Sequence, residues 1–169
     1  MKMKPVRFHS WNISPNEAIA IQNNLKEKIV FSSISNDIKH IGGTAVAFDA
    51  GKNIIHAALT ILKYPSLEVV EQNGVTQEIT FDYISGLLTF REGAPLMSLF
   101  RKTSQDIDLI VFHSHGQSHP RKFGLASHLG VLLDVPSIGV SNKMLVGSHD
   151  HLSQRKHSEK PILLNGETV

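Results

Sequence analysis

The sequence predicts an α/β domain built on one mixed sheet, in which three antiparallel strands are followed by helix, strand, helix and strand, with helices flanking the sheet. Two observations predict it. Three apolar runs between residues 41 and 79 are joined by turns short enough to imply an antiparallel meander. From residue 87 onward, helical and apolar runs alternate, which implies parallel strands joined by crossover helices. A length of 169 residues suits one domain and supports a core without disulfide or metal staples.

The first helix spans Ser14 to Val30. Ser14 serves as N-cap, Pro15 takes the first helical position, and Glu17 stands at the capping-box spacing. Ala18, Ile21, Leu25 and Ile29 then recur at three or four residues and make one apolar face. The polar stretch from Ser32 to His40 is a connection. Ile41 to Ala50 is the first strand, a run of small and β-branched residues with few polar members before Asp49, which is the pattern of a strand buried on both faces. Gly51-Lys52-Asn53 turns the chain into the second strand, Ile54 to Lys63. Tyr64-Pro65-Ser66 turns it again, and the third strand runs over Leu67 to Glu71 and Val75 to Ile79, with a break near Asn73-Gly74. Leu87 to Thr103 is helical, with Leu96, Leu99 and Phe100 on one side. Asp108 to Phe112 is a short fourth strand, Phe123 to Leu133 a helix, and Pro136 to Val140 a fifth strand. The tail from Gly147 to Lys160 is rich in His, Ser, Lys and Arg and reads as a solvated loop, after which Pro161 to Leu164 begins another apolar run. Three antiparallel strands followed by αβαβ is the element order of a ribonuclease H-like fold, an analogy that does not by itself give a function.

Hydrophobic residues make up 41% of the chain and charged residues 19%, the proportions of a soluble globular protein. The absence of cysteine excludes a disulfide framework, a zinc ribbon and a thiol nucleophile. No run approaches the length of a membrane span, and the basic N-terminus leads into no apolar signal segment, so no membrane partner is expected and the cytoplasm is the default location. A net charge of +2 permits nucleic acid as a partner without requiring it. No P-loop, HExxH or GxSxG pattern is present, so kinases, zincins and α/β hydrolases have no support.

Three places can carry chemistry. Asp49 ends the first strand, where a carboxylate is either paired with an ion or metal, or a turn former ahead of Gly51-Lys52-Asn53. Glu92 near the start of a helix reads first as a first-turn acid favoured by the helix dipole. The segment His113-Ser114-His115-Gly116-Gln117-Ser118-His119-Pro120-Arg121-Lys122 lies between a strand and a helix, where open α/β sheets place ligands. Its three imidazoles suit a metal or a proton shuttle, or simply line a polar loop, and Arg121 and Lys122 suit phosphate.

Six blocks together resemble the endonuclease V family: Val46-Ala47-Phe48-Asp49, Leu62-Lys63-Tyr64-Pro65-Ser66-Leu67-Glu68, Tyr83-Ile84-Ser85-Gly86-Leu87-Leu88-Thr89-Phe90-Arg91-Glu92, His115-Gly116-Gln117-Ser118-His119-Pro120-Arg121, Gly124-Leu125-Ala126-Ser127-His128-Leu129-Gly130 and Asp134-Val135-Pro136-Ser137-Ile138-Gly139-Val140. The resemblance implies a ribonuclease H-like domain that recognises inosine or deoxyinosine in DNA or RNA and cuts a phosphodiester on its 3′ side, in DNA repair or RNA processing. It implies Mg²⁺, with Mn²⁺ as an alternative, and a monomer. It places Asp49 and Glu92 among the metal ligands and catalytic acids, with His119 as the histidine beside them. Tyr83 and Ile84 fall on a strand-separating wedge, and Gly116, Pro120, Arg121 and Lys122 on the loop that shapes the nucleic-acid cleft.

Several positions depart from the family pattern. His113 stands where the family has a metal-binding aspartate, and imidazole is a poor ligand for Mg²⁺. Asn142 stands at the family's lysine, with Lys143 one place later. Asp82 and Ser85 replace the two prolines of the wedge. Family members continue past the Leu163-Leu164 strand into a helix carrying a further carboxylate, and this sequence stops at Val169. The departures favour two alternatives to an active nuclease: a relative that binds nucleic acid without cutting it, or a truncated product without function.

Overall fold

The computed structural model describes residues 6, 8–34, 37–49 and 51–169. Five strands form one sheet in the order β3-β2-β1-β4-β5. These are β1 (His40–Asp49), β2 (Ile54–Lys63), β3 (Glu68–Glu78), β4 (Leu109–Phe112) and β5 (Ser137–Gly139). The pairs β1–β2 and β2–β3 are antiparallel, while β1–β4 and β4–β5 are parallel, as the change in connection length predicts. Three helices, α1 (Pro15–Leu25), α2 (Leu88–Lys102) and α3 (Leu125–Leu133), flank the sheet. A two-residue turn joins β6 (Leu163–Leu164) to β7 (Glu167–Thr168) in a separate hairpin. Among the described residues, no helix is long and apolar enough to cross a membrane.

The capping box forms as expected. The Ser14 hydroxyl accepts from the Glu17 N–H, and the Glu17 carboxylate accepts from the Ser14 N–H at 2.8 Å. The helix ends at Leu25 rather than Val30, because Lys26-Glu27-Lys28 has no apolar surface to dock and closes with one 3₁₀ turn. Strand β3 is continuous through Asn73 and Gly74, since cross-strand pairing with Leu59 and Ala58 holds them extended. The irregularity falls earlier, where Ile61 pairs with Glu71 and Leu62 with Val69, so that Val70 is the extra residue of a bulge. Leu67 belongs to the preceding turn, with φ +59°.

Strand β1 is not buried on both faces. The large core side chains Leu59, Ile61, Ile110 and Phe112 bury on the face that meets α2 and α3, and Gly42, Thr44 and Val46 pair beside them. Ala45 and Ala47 alternate to the other face and are exposed. Its predicted last residue, Ala50, lies outside the described residues. At the strand's start, the Asp108 carboxylate accepts the N–H groups of Lys39 and His40 at 2.8 and 2.9 Å, which fastens β1 to the entry of β4.

The segment before α1 is strapped across the helices. The Val6 N–H donates to the Leu132 carbonyl at 3.0 Å. Trp11 packs on Gly93 of α2, where a Cβ would stand 2.3 Å from the indole ring. His9 lies between Trp11 and the fully buried His128, with its Nε2 2.9 Å from His128 Nε2. His9 Nδ1 lies 2.8 Å from the Ser10 carbonyl and must donate to it. The His9 Nε2 is therefore the acceptor, and the His128 Nε2–H the donor. Both rings are neutral in this arrangement, because a proton added to His9 would set two N–H groups against each other. Burial pushes both pKa values down, that of His128 well below the usual histidine range.

A folded imidazole with a depressed pKa refuses protons that the unfolded chain accepts, so its stability contribution is full above about pH 6.5 and is lost as the pH falls below it. Acidification from about pH 7.5 to about pH 5 is expected to lower the melting temperature and to shift the emission of Trp11, the chain's single tryptophan, to the red as the strap lifts. A pH-independent Trp11 spectrum over that range would show that the His9–His128 contact does not hold the strap. Gly93→Ala is expected to displace Trp11 at neutral pH and to cost roughly 1–3 kcal/mol in a denaturant melt.

Candidate active site

A cavity of about 190 Å³ opens between β1, α2 and the end of β4, lined by Thr44, Ala45, Val46, Glu92, Leu96, His113 and Leu125. It lies beyond the C-terminal end of a parallel strand, the place where α/β sheets leave a crevice. Glu92 is the fifth residue of α2, one turn further into the helix than a first-turn acid, and is 8% exposed. The helix-dipole reading of this residue therefore fails. With little water around it, its carboxyl pKa is pushed up to about 7, offset in part by the neighbouring Arg91 guanidinium. His113 follows Phe112 directly and is exposed.

Asp49 does not line this cavity. It is the last residue of β1, pairs across from Ile54 and forms an ion pair with Lys52 at 3.2 Å. Its carbonyl accepts the Lys52 N–H, so Asp49 acts as the turn former. Of the three β1 residues that line the cavity, Ala45 is the one level with His113. Thr44 and Phe112 are register partners on adjacent parallel strands, so Ala45 and His113 are the next pair along. Four residues separate Ala45 from Asp49, roughly 13 Å of strand.

The other predicted residues gather beside the cavity around one carbonyl. The Gly86 oxygen accepts from Gln22 Nε2 at 3.1 Å, from His119 Nε2 at 3.0 Å and from Arg121 Nη2 at 2.6 Å. Arg121 Nε also donates to Gln22 Oε1 at 2.6 Å, closing the network. Gly86 has φ +79°, and a Cβ there would stand 2.8 Å from the Arg121 guanidinium, so both conformation and space require glycine. His119 uses both ring nitrogens, since its Nδ1 accepts the Arg121 N–H at 3.2 Å. Burial first, and then the Arg121 charge, push its pKa down to about 4, so it is a neutral anchor at physiological pH.

This hub holds the loop before α2, on which Ile84 packs into the core and Tyr83 projects into solvent, 70% exposed. His115 Nε2 donates to the Lys143 carbonyl at 2.7 Å and ties down the loop after β5, where Asn142 and Lys143 are exposed. Gly116 accepts the Gly124 N–H at 2.8 Å at the entry to α3. Pro120 is exposed, and the Lys122 ammonium is paired with the Glu167 carboxylate of the hairpin. The structure thus brings Glu92 and His113 together in one cavity and His119 and Arg121 together at the hub, and leaves Asp49 apart from both.

Gln22 was missed in the sequence. It interrupts the apolar spacing Ala18, Ile21, Leu25 and is fully buried, a polar residue on a core-facing helix turn. That interruption was the available signal.

Comparison with known proteins agrees with this geometry. The family model described as Endonuclease V matches residues 23–169. The chain is 39% identical over 165 residues to the endonuclease V of Gloeobacter violaceus, covering 96% of this chain and 67% of that protein. The crystal structure of the endonuclease V of Streptomyces avermitilis superposes with a TM-score of 0.88 at 31% identity, over 98% of this chain and 74% of that one. That of Ciona intestinalis, solved with a 23mer DNA containing an inosine followed by a ribo-adenosine, superposes at 0.72 with 26% identity, over 80% and 61% of the two chains.

Gln22→Leu is expected to leave the Arg121 Nε–H and the Phe123 carbonyl short of a buried partner. The predicted cost is about 2–4 kcal/mol in a denaturant melt, with faster proteolysis of the loop carrying Tyr83. Unchanged stability and unchanged cleavage of that loop would show that the hub does not brace it.

Proposed function

The chain belongs to the endonuclease V family, and on that premise we propose that it acts on DNA or RNA carrying a deaminated purine, as a protein of DNA repair or RNA processing. The observation that carries this reading is the convergence of three loops at one end of the sheet, with the exposed Tyr83 mounted on the Gly86 hub. The Watson–Crick edge of a base is free to be read only when the base leaves its pair, so reading it requires the protein to part the strands and hold the base in a pocket. Tyr83 is placed to fill the gap and stack on the neighbouring base, with Ile84 anchoring it. Lys143, with Asn142, lies exposed on the loop after β5 and suits phosphate, while Lys122 is held by the Glu167 carboxylate. Arg121 is spent on the hub and positions the cleft from within. The phosphodiester on the 3′ side of the base then falls toward the cavity of Glu92 and His113.

Family membership implies a metal-dependent mechanism, and Mg²⁺ requires a near-octahedral set of hard oxygen ligands. The residues of the cavity do not fit it. Among the described residues, no group of three or more His, Asp or Glu side chains is placed to hold a metal ion. The cavity supplies one carboxyl, Glu92, held near neutrality by burial, and one imidazole, His113. Mn²⁺ accepts imidazole more readily but meets the same shortage of negative charge. The chain's remaining residues serve recognition: His119, Arg121 and Gln22 brace the loop before α2, and Tyr83 stands exposed on it to meet the strand.

Fluorescence anisotropy with a single-stranded deoxyinosine oligonucleotide and its deoxyadenosine twin, both in EDTA, tests the reading. The expected result is a clear preference for the inosine strand, with affinity for both strands falling in parallel on adding salt as phosphate contacts are screened. Tyr83→Ala is expected to weaken binding about 5- to 100-fold, the range of one lost base stack. Equal affinity for the two strands would overturn the proposal.

A further inference from the structure

We infer that the cavity is a divalent-metal site lacking carboxylates at positions 45 and 113, so that this chain holds a deaminated-base strand without cutting it in Mg²⁺. The inference rests on the function proposed above and deepens it. It is carried by strand register rather than by the likeness to relatives. Thr44 and Phe112 are paired on adjacent parallel strands, and Ala45 and His113 follow them into the same cavity as Glu92. Neighbouring strands stand about 4.8 Å apart, so aspartates at these two positions would project side by side, close enough for both carboxylates to share one ion at the roughly 2.1 Å that Mg²⁺ demands. Ala45 offers no donor, and His113 offers a neutral nitrogen to a hard cation.

Among the described residues, Glu92 is the one acid that lines the cavity. Asp49 lies roughly 13 Å further along β1, beyond the reach of its side chain, and is paired with Lys52. Asp108 caps the start of β1 at the opposite end of β4. Asp134 ends α3 in the left-handed conformation, also away from the cavity. Both positions are built to accept the missing group, because Ala45 and His113 are exposed and an aspartate at either needs no rearrangement of the core.

The test compares the full chain with Ala45→Asp, His113→Asp and the double variant. Mn²⁺ binding is read by electron paramagnetic resonance and Mg²⁺ binding by calorimetry. The wild-type chain is expected to bind neither ion below millimolar concentration. Each substitution is expected to tighten binding at least about tenfold, as each adds an anionic oxygen ligand. In the double variant, adding Asp49→Ala is expected to change nothing. Anisotropy with the deoxyinosine oligonucleotide runs alongside, where the wild-type chain is expected to bind equally well in EDTA and in Mg²⁺ and to leave the strand intact. Micromolar metal binding by the wild-type chain would overturn the inference. So would a double variant that melts like the wild type yet gains no metal affinity, and so would loss of that gain on Asp49→Ala. Loss of inosine preference in the EDTA arm would overturn the proposed function instead, and the metal arm would still be read independently.

Discussion

One carbonyl oxygen organises this end of the molecule. Gly86 presents it to three donors that come from α1 and from the loop after β4. A buried carbonyl with two lone pairs is satisfied by two donors, so the third, the charged Arg121, binds in competition for the same negative end and is balanced by the Gln22 oxygen at 2.6 Å. Each member fixes the next. Arg121 leaves no room for a side chain at residue 86, which keeps the turn tight, and the turn sets Leu87 and Phe90 into the small core beneath α1. The wedge residues Tyr83 and Ile84 inherit their position from this arrangement.

The strap before α1 is secured by different physics. His9 and His128 exchange a single proton donor, and the ring stack of Trp11, Phe90 and Phe123 excludes water from them. The unpaired atom of the group, His128 Nδ1, is a lone pair rather than an N–H in the tautomer that the contacts impose. A buried neutral acceptor without a partner is costly, but far less so than a buried charge. The three imidazoles of the segment after β4 thus divide between hub, loop tether and cavity: His119 on the Gly86 carbonyl, His115 on the Lys143 carbonyl and His113 beside Glu92.

What was legible in the sequence was local. The capping box at Ser14, the turns between β1, β2 and β3, and the switch to crossover connections all follow from residues within a few positions of one another. What was not legible depended on partners far away in the chain. His9 and His128 are 119 positions apart, and Gln22 meets Arg121 across 99. The choice left open at Asp49, between an ion's partner and a turn former, needed the same kind of information. The sequence shows where β1 ends, but which of its residues lies beside His113 is decided by the β1–β4 register, and that register selects Ala45. The start of α2 was legible to within one residue, but the burial of Glu92 beside β1 and His113 depends on packing between distant segments.

The hub and the cavity stand next to each other yet answer to opposite electrostatics, and this explains how one persists without the other. A cluster of carboxylates around an ion is stable only with the ion present; without it the like charges repel and raise one another's pKa. Such a cluster adds nothing to the fold by itself, so replacing two of its positions by a methyl group and an imidazole relieves repulsion at no structural cost. The hub has the reverse property. Its donors and acceptors satisfy one another with no outside partner, and removing any of them strands a buried polar group. A chain without such ligands therefore keeps the loop of Tyr83 and the stability that come from Gly86. Recognition is built into the packing of this fold, whereas cleavage depends on side chains that the packing does not need.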